Sequence, residues 1–167
     1  MTRWGLIGCG AHGRRYLELR NNGNRAIRVF QRGERIEGVD AMIVATPPAS
    51  HGEIATGCML AGIAVLLEKP IALTWPETMA VLDAADRPGS PPLLVSSPHL
   101  YARKFLELAG GPESTIVWAG PERIDGSCSG YLDWAPHAWS MAQALGTDRV
   151  ITGTHPTKLC SVTSQGK

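Results

Sequence analysis

Three glycines, Gly8, Gly10 and Gly13, follow a short apolar run at residues 4–7 and open a helix-forming stretch at 12–20. That succession of strand, glycine turn and helix restricts the fold more than any other feature of the chain. In a GxGxxG turn the first glycine permits the tight reversal after a strand. The second lets a ligand approach the backbone, and the third lets helix pack on strand. Free N–H groups at the helix start then favour an anion in front of them. The segment Gly8-Cys9-Gly10-Ala11-His12-Gly13 therefore predicts a dinucleotide site, with Gly8, Gly10, Ala11, His12 and Gly13 around the pyrophosphate. A glycine turn with no ligand is the plainer alternative, and it leaves the spacing of all three glycines unexplained.

The rest of the N-terminal half keeps the same rhythm. Strand-like runs at 26–30, 41–46, 64–68 and 93–96 alternate with helical stretches at 50–61 and 76–85. Ser50 and Glu53 have capping-box spacing, and Asn21-Asn22-Gly23 suits a helix end. Short apolar strands alternating with helices imply a parallel sheet covered on both faces. The expected fold class is α/β, a Rossmann-type doubly wound parallel sheet over residues 1–98. A truncated C-terminal α+β part, for substrate binding or oligomerisation, follows at 99–167. There the pattern predicts a helix at 101–109, a strand at 115–118, a helix at 133–145, a strand at 149–152 and a polar tail. Only ten residues, 31–40, separate the second strand from the third. That is too short for a helix-bearing crossover, so the sheet should be reduced there.

A formal net charge of +1 provides no long-range field to draw nucleic acid or an anionic membrane. No apolar run approaches the length of a membrane span, and the strand-like start leaves no room for a signal peptide, so a cytoplasmic protein is expected. Cys9, Cys58, Cys128 and Cys160 are widely spaced, without metal-ligand pairing, and read as reduced thiols. No metal site is expected.

In dinucleotide folds an acidic residue about 20 positions past the fingerprint grips the ribose of NAD. Gln31-Arg32 occupies that place. Arg32 can pair with a 2′-phosphate, which favours NADP over NAD. It can equally be a solvated loop cation, and Glu34 could serve as a displaced ribose ligand.

Three segments, GLIGCGAHG, VDAMIVATPPASHGEIATGCMLAGIAVLLEKPIALT and LDWAPHAWSMAQALG, together resemble the Gfo/Idh/MocA oxidoreductases. The middle one is the most specific. The resemblance implies that Thr46, Pro47 and Pro48 border the nicotinamide, and that Glu68, Lys69 and Pro70 bring Lys69 between nicotinamide and substrate. It also implies that Asp133 and His137, four apart and thus on one helix face, form an acid–base pair. His51 matches a family histidine near the cofactor, but reads as a cap or packing residue more readily than as an actor. His99 could touch substrate. The bland readings are a surface lysine after a strand for Lys69, and a helix-dipole aspartate with a filler histidine for Asp133 and His137.

The expected function is an NAD(P)-dependent oxidoreductase, moving a hydride between nicotinamide and a carbonyl, alcohol or imine of a small molecule. The competing class is a non-catalytic dinucleotide-binding module or partner subunit. Retention of Lys69, Asp133 and His137 favours the enzyme, while the short substrate region favours its rival. A clipped second domain would leave Trp134, Trp139 and Met141 uncovered, so a homo-oligomer, most simply a homodimer, is expected.

Overall fold

The structure, a computed structural model, describes residues 1–23, 26–98, 113–118, 136–137, 140, 150–152 and 160–165. It divides into two units, Met1–Ser96 and Ser97–Lys167.

The first unit holds five short strands, Trp4–Ile7 (β1), Ile27–Phe30 (β2), Ala41–Val44 (β3), Ala64–Leu67 (β4) and Leu93–Val95 (β5). Its helices are Ala11–Gly23 (α1), His51–Leu60 (α2) and Trp75–Ala85 (α3), with a single 3₁₀ turn at Pro48–Ser50 before α2. The strands form one sheet in the order β2-β1-β3-β4-β5, every pair parallel. The doubly wound α/β class read from the sequence is the one observed. Its strand order reverses between β1 and β3, because β2 lies on one side of β1 and β3 on the other.

Alternate side chains of the strands feed two cores, as the period-2 geometry of a strand requires. Ile7, Met42, Val44, Val65 and Leu67 join Ala55, Cys58 and Met59 of α2 and Val81 and Ala84 of α3. Leu6, Ile43 and Ala45 form the opposite core, with Tyr16 and Leu17 of α1 packed against it. Full burial of such a side chain stabilises by roughly 1.5–3 kcal/mol, so these two layers hold the unit together.

The ten residues between β2 and β3 contain no helix, as their number demands. Instead Val39 is buried, and Ile36 packs against the α2–α3 core, covering part of the face a helix would otherwise cover. Asp40 anchors the return. Its carboxylate accepts from Arg3 Nη2 at 2.6 Å and from the Arg3 backbone N at 2.7 Å, which ties the start of β1 to the start of β3. The same guanidinium pulls the Asp40 carboxyl down to about 2.

One expected feature is corrected. Ser50 makes no side-chain cap on α2. It belongs to the 3₁₀ turn, and its hydroxyl bonds Thr46 Oγ1 at 2.9 Å and the Pro47 carbonyl at 3.0 Å. The capping box stands one helix later, where Thr74 accepts from the Glu77 N–H and Glu77 reaches back to the Thr74 N–H. The i, i+3 spacing of Thr74 and Glu77, with Trp75 and Pro76 between them, is the sequence mark of that box.

In the second unit, Glu113–Trp118 (β6), Val150–Thr152 (β7) and Cys160–Gln165 (β8) form an antiparallel sheet in the order β6-β8-β7. β6 and β7 fall where the pattern places strands. β8 occupies a segment expected to be a polar tail, and its Cys-Ser-Val-Thr alternation is the local strand signal. The expected helix at 101–109 lies outside the described residues. So does most of the one at 133–145, where 136, 137 and 140 are helical.

Gly5 tests the packing argument. A Cβ added there would stand 2.7 Å from Met42 Cε and 2.8 Å from Phe30 Cε2. Gly5→Ala should therefore destabilise the protein by about 1–3 kcal/mol through overpacking, read as a lower urea midpoint; an unchanged midpoint would show that the Met42 and Phe30 ends yield freely.

Candidate functional site

The three turns singled out by the sequence follow β1, β3 and β4, which are neighbours in the sheet. All lie at strand C-terminal ends, and the strand order reverses at β1. In open α/β sheets that is where ligands bind.

The glycine turn is built by close approach. Gly8 has φ +96°, and a Cβ on it would lie 2.4 Å from the Ala45 carbonyl carbon and 2.5 Å from the Thr46 nitrogen. Gly13 is tighter still, since its Cβ would fall 1.8 Å from the Gly8 carbonyl oxygen. Gly10 differs from both, having no atom within 4 Å of the position its Cβ would take. Two glycines are thus required by protein atoms, and the middle one faces open space at the start of α1. This is the cradle a pyrophosphate needs, with first-turn N–H groups of α1 behind it.

The turn after β3 joins the turn after β4 through His51. Its ring is 1% exposed, with Nδ1 2.7 Å from the Pro70 carbonyl oxygen and Nε2 2.8 Å from the Thr46 carbonyl oxygen. Pro48 is buried, and Pro47 is exposed. Lys69 is half-buried, and the Lys69–Pro70 peptide is cis.

Glu68 turns the other way, toward α1. Tyr16 donates its hydroxyl to Glu68 Oε1 at 2.6 Å and lies 3.2 Å from Ser96 Oγ. His12 Nδ1 stands 3.5 Å from Glu68 Oε2. Burial, then the hydrogen bond to Glu68, push the Tyr16 phenol up to about 12, with Ser96 opposing. Tyr16 remains a neutral donor to the carboxylate over the ordinary pH range.

At the end of β2, Arg32 is exposed. Glu34 accepts from the Gln31 backbone N at 2.9 Å and from Arg28 Nη2 at 2.8 Å. These bonds, the Gln31 N–H first, hold its carboxyl below the usual range.

The structure therefore brings Gly8, Gly13, Thr46, His51, Glu68 and Pro70 into direct or one-step contact. His137 belongs to the second unit, where it is buried and its carbonyl accepts from Ser140 Oγ at 3.0 Å. Asp133 lies outside the described residues, as do His99, Cys128, Trp134, Trp139 and Met141. Sequence reasoning missed Tyr16 and Ser96, although Tyr16 is one helical turn past His12. Cys9 is exposed in the glycine turn; Cys58 is buried in α2, and burial pushes its thiol up to about 11.

A cavity of about 200 Å³ lined by Met59, Leu60, Arg87 and Pro88 opens where α2 and α3 end and β4 and β5 begin, the opposite edge from these turns. Its position gives it no part in the site. Among the described residues no group of three or more His, Cys, Asp or Glu is placed to hold a metal ion. No helix among them is long and apolar enough to cross a membrane.

A parallel sheet with this glycine turn at its switch point is a Rossmann-type fold. The comparisons with known proteins agree. Residues 26–95 match the Gfo/Idh/MocA family model, described as an oxidoreductase family with an NAD-binding Rossmann fold. Inositol 2-dehydrogenase 2 of Saccharopolyspora erythraea is 37% identical over 70 residues, which are 42% of this chain and 21% of that relative. A candidate oxidoreductase from Magnetospirillum magnetotacticum superposes with a TM-score of 0.72 at 27% identity, covering 95% of this chain and 64% of the other. The WlbA dehydrogenase of Thermus thermophilus, solved with NAD and UDP-GlcNAcA, gives a TM-score of 0.73 at 18% identity, over 94% of this chain and 67% of that one. Residues 26–95 of this protein are thus similar to the NAD-binding Rossmann part of the Gfo/Idh/MocA oxidoreductases. The matched part spans about a fifth (21%) of the length of the curated relative.

The Tyr16–Glu68 bond is open to a direct check. The phenol is raised from 10.0 to about 12, so the stability it confers is complete below pH 10 and is lost as pH climbs through about 12. Of the three tyrosines, one should form phenolate last in an alkaline absorbance titration, and Tyr16→Phe should remove that step. A variant that still shows the late step would place it elsewhere.

Proposed function

We propose that this chain binds a nicotinamide dinucleotide along the edge formed by the three turns. It would serve an oxidoreductase reaction on a carbonyl, alcohol or imine of a small molecule. The observation that carries the proposal is the junction itself. A glycine cradle with open space at Gly10 lies beside the Thr46-Pro47-Pro48 turn, and that turn is tied through His51 to the Glu68-Lys69-Pro70 turn.

Gly8, Gly10, Ala11, His12 and Gly13 would hold the pyrophosphate, with Thr46 and Pro47 bordering the ring. When bound, the nicotinamide supplies a carbon that gives or accepts a hydride. The protein's own part is to orient and to handle charge. Lys69, a cation just past a strand end, can hydrogen-bond the reacting oxygen or nitrogen and stabilise charge as it develops there. His137 is suited to exchanging a proton with substrate and Asp133 to orienting or charge-coupling it, since histidine ionises near neutrality.

Turnover of reduced and oxidised cofactor against polyols, sugars, ketones and imines tests the reading. With an active pair in hand, Lys69→Ala and His137→Ala should each lower the rate by about 10²–10⁴ while cofactor affinity stays nearly intact. Wild-type rates in both variants would remove these roles. Tight cofactor binding with no turnover across the panel would instead favour a binding module.

The cofactor is proposed to be NADP. Arg32 is exposed at the tip of β2, and Arg28 offsets the charge of the nearby Glu34 carboxylate. NADPH should therefore bind at least about tenfold more tightly than NADH, the equivalent of one charge-assisted hydrogen bond of roughly 1.5 kcal/mol. Fluorescence titration with both cofactors decides it. Equal affinities, or an Arg32→Ala variant that binds NADPH as before, would assign the ribose to Glu34 and the cofactor to NAD.

A further inference from the structure

Lys69 is flanked by two residues that are each fastened to a different helix. On its N-terminal side, the Glu68 carboxylate receives the Tyr16 hydroxyl of α1 at 2.6 Å, with His12 of the same helix 3.5 Å away. On its C-terminal side, the Pro70 carbonyl lies 2.7 Å from Nδ1 of His51, the first residue of α2. The other nitrogen of that imidazole contacts the Thr46 carbonyl at 2.8 Å. α1 and α2 pack on opposite faces of the sheet. The turn after β4 is thus gripped from both faces, one residue before the lysine and one residue after it.

We propose that Tyr16 and His51 are positioning residues for Lys69, fixing the backbone on either side of it so that its ammonium is presented at one place beside the cofactor edge. The proposal rests on the reading of Lys69 as a cofactor- and substrate-facing group. A lysine carries a flexible four-carbon stem, and holding it in one geometry costs rotamer entropy. Fixing the peptide units of Glu68 and Pro70 fixes the direction in which the Lys69 side chain leaves the backbone, and that removes part of the search. The His51 tie does more, because it sets the turn that carries Lys69 against the turn that carries Thr46 and Pro47. A carbonyl oxygen can only accept, so the ring N–H donates to one of these two carbonyls and the imidazole fills the space between both. Removing the ring leaves the Thr46 and Pro70 carbonyls without it and lets the two turns move independently. The Tyr16 bond is charge-assisted and half-sheltered from water, the condition in which such bonds are strongest. Its loss frees the Glu68 carboxylate to swing toward the site.

The chain has four lysines, so ε-carbon-labelled lysine yields a spectrum simple enough to assign, with Lys69→Arg identifying the Lys69 signal. The full-length protein is measured without cofactor and with saturating NADH, for wild type, Tyr16→Phe, His51→Leu and His51→Gln. The clamp predicts that Tyr16→Phe and His51→Leu move the Lys69 signal of the free protein toward that of an unrestrained lysine and abolish most of its response to NADH. His51→Gln, which keeps a donor, should recover part of both. The other three lysine signals and the melting temperature serve as controls, because a variant that merely loosens the fold alters them together. Lys69 signals in Tyr16→Phe and His51→Leu that coincide with wild type in both states would overturn the clamp. A wild-type Lys69 signal that ignores NADH would overturn the cofactor-facing reading of Lys69 instead, and the spectra of the free protein would still decide whether the clamp exists.

Discussion

Everything at the ligand edge depends on how closely β1 and β3 approach each other just beyond their last paired residues. Gly8 lies against the Ala45–Thr46 peptide, and Gly13 lies against the Gly8 carbonyl, at distances that no side-chain carbon could share. The first contact brings the glycine turn beside the turn after β3, and the second seats α1 on the turn. A methyl group at either place would push helix or strand away and remove the narrow notch that Gly10 leaves open. Backbone packing, with no side chain involved, creates the cradle.

Side chains then carry that arrangement along the edge. His51 spans the gap from β3 to β4, and Tyr16 reaches from α1 to the end of β4. The two residues belong to helices on opposite faces, so the sheet edge is braced from both sides. The carbonyls of Thr46 and Pro70, beyond the ends of β3 and β4, give the buried His51 ring its polar partners. Glu68, expected beside the cofactor from its place in the motif, turns its carboxylate to α1, where Tyr16 donates to it.

The reduced crossover between β2 and β3 has a consequence for the end of β2. With no helix and no additional strand there, β2 is the edge of the sheet, and Arg32 and Glu34 sit on an exposed turn shaped by Gly33 and Gly38 at positive φ. Glu34 on that turn is held by local bonds, from Arg28 and the Gln31 N–H.

Local pattern determined the class of fold, the strand set of the first unit, the glycine turn and the places of Thr46 and Lys69, because each is announced within a few residues: apolar runs of strand length, glycines at fixed spacing, prolines that stop a strand. Elements whose local signature is weak or shared with a neighbouring segment differ from expectation. β8 was hidden in a polar tail, and the capping box was placed at Ser50 because the 3₁₀ turn that absorbs that serine has no clear mark in the chain. Only the tertiary structure decided what grips what. Tyr16 and Glu68 are 52 residues apart, Tyr16 and Ser96 are 80, and His51 and Pro70 are 19. Such pairs meet because parallel crossovers return each strand end to the same edge, a global property of the sheet that no window of sequence contains.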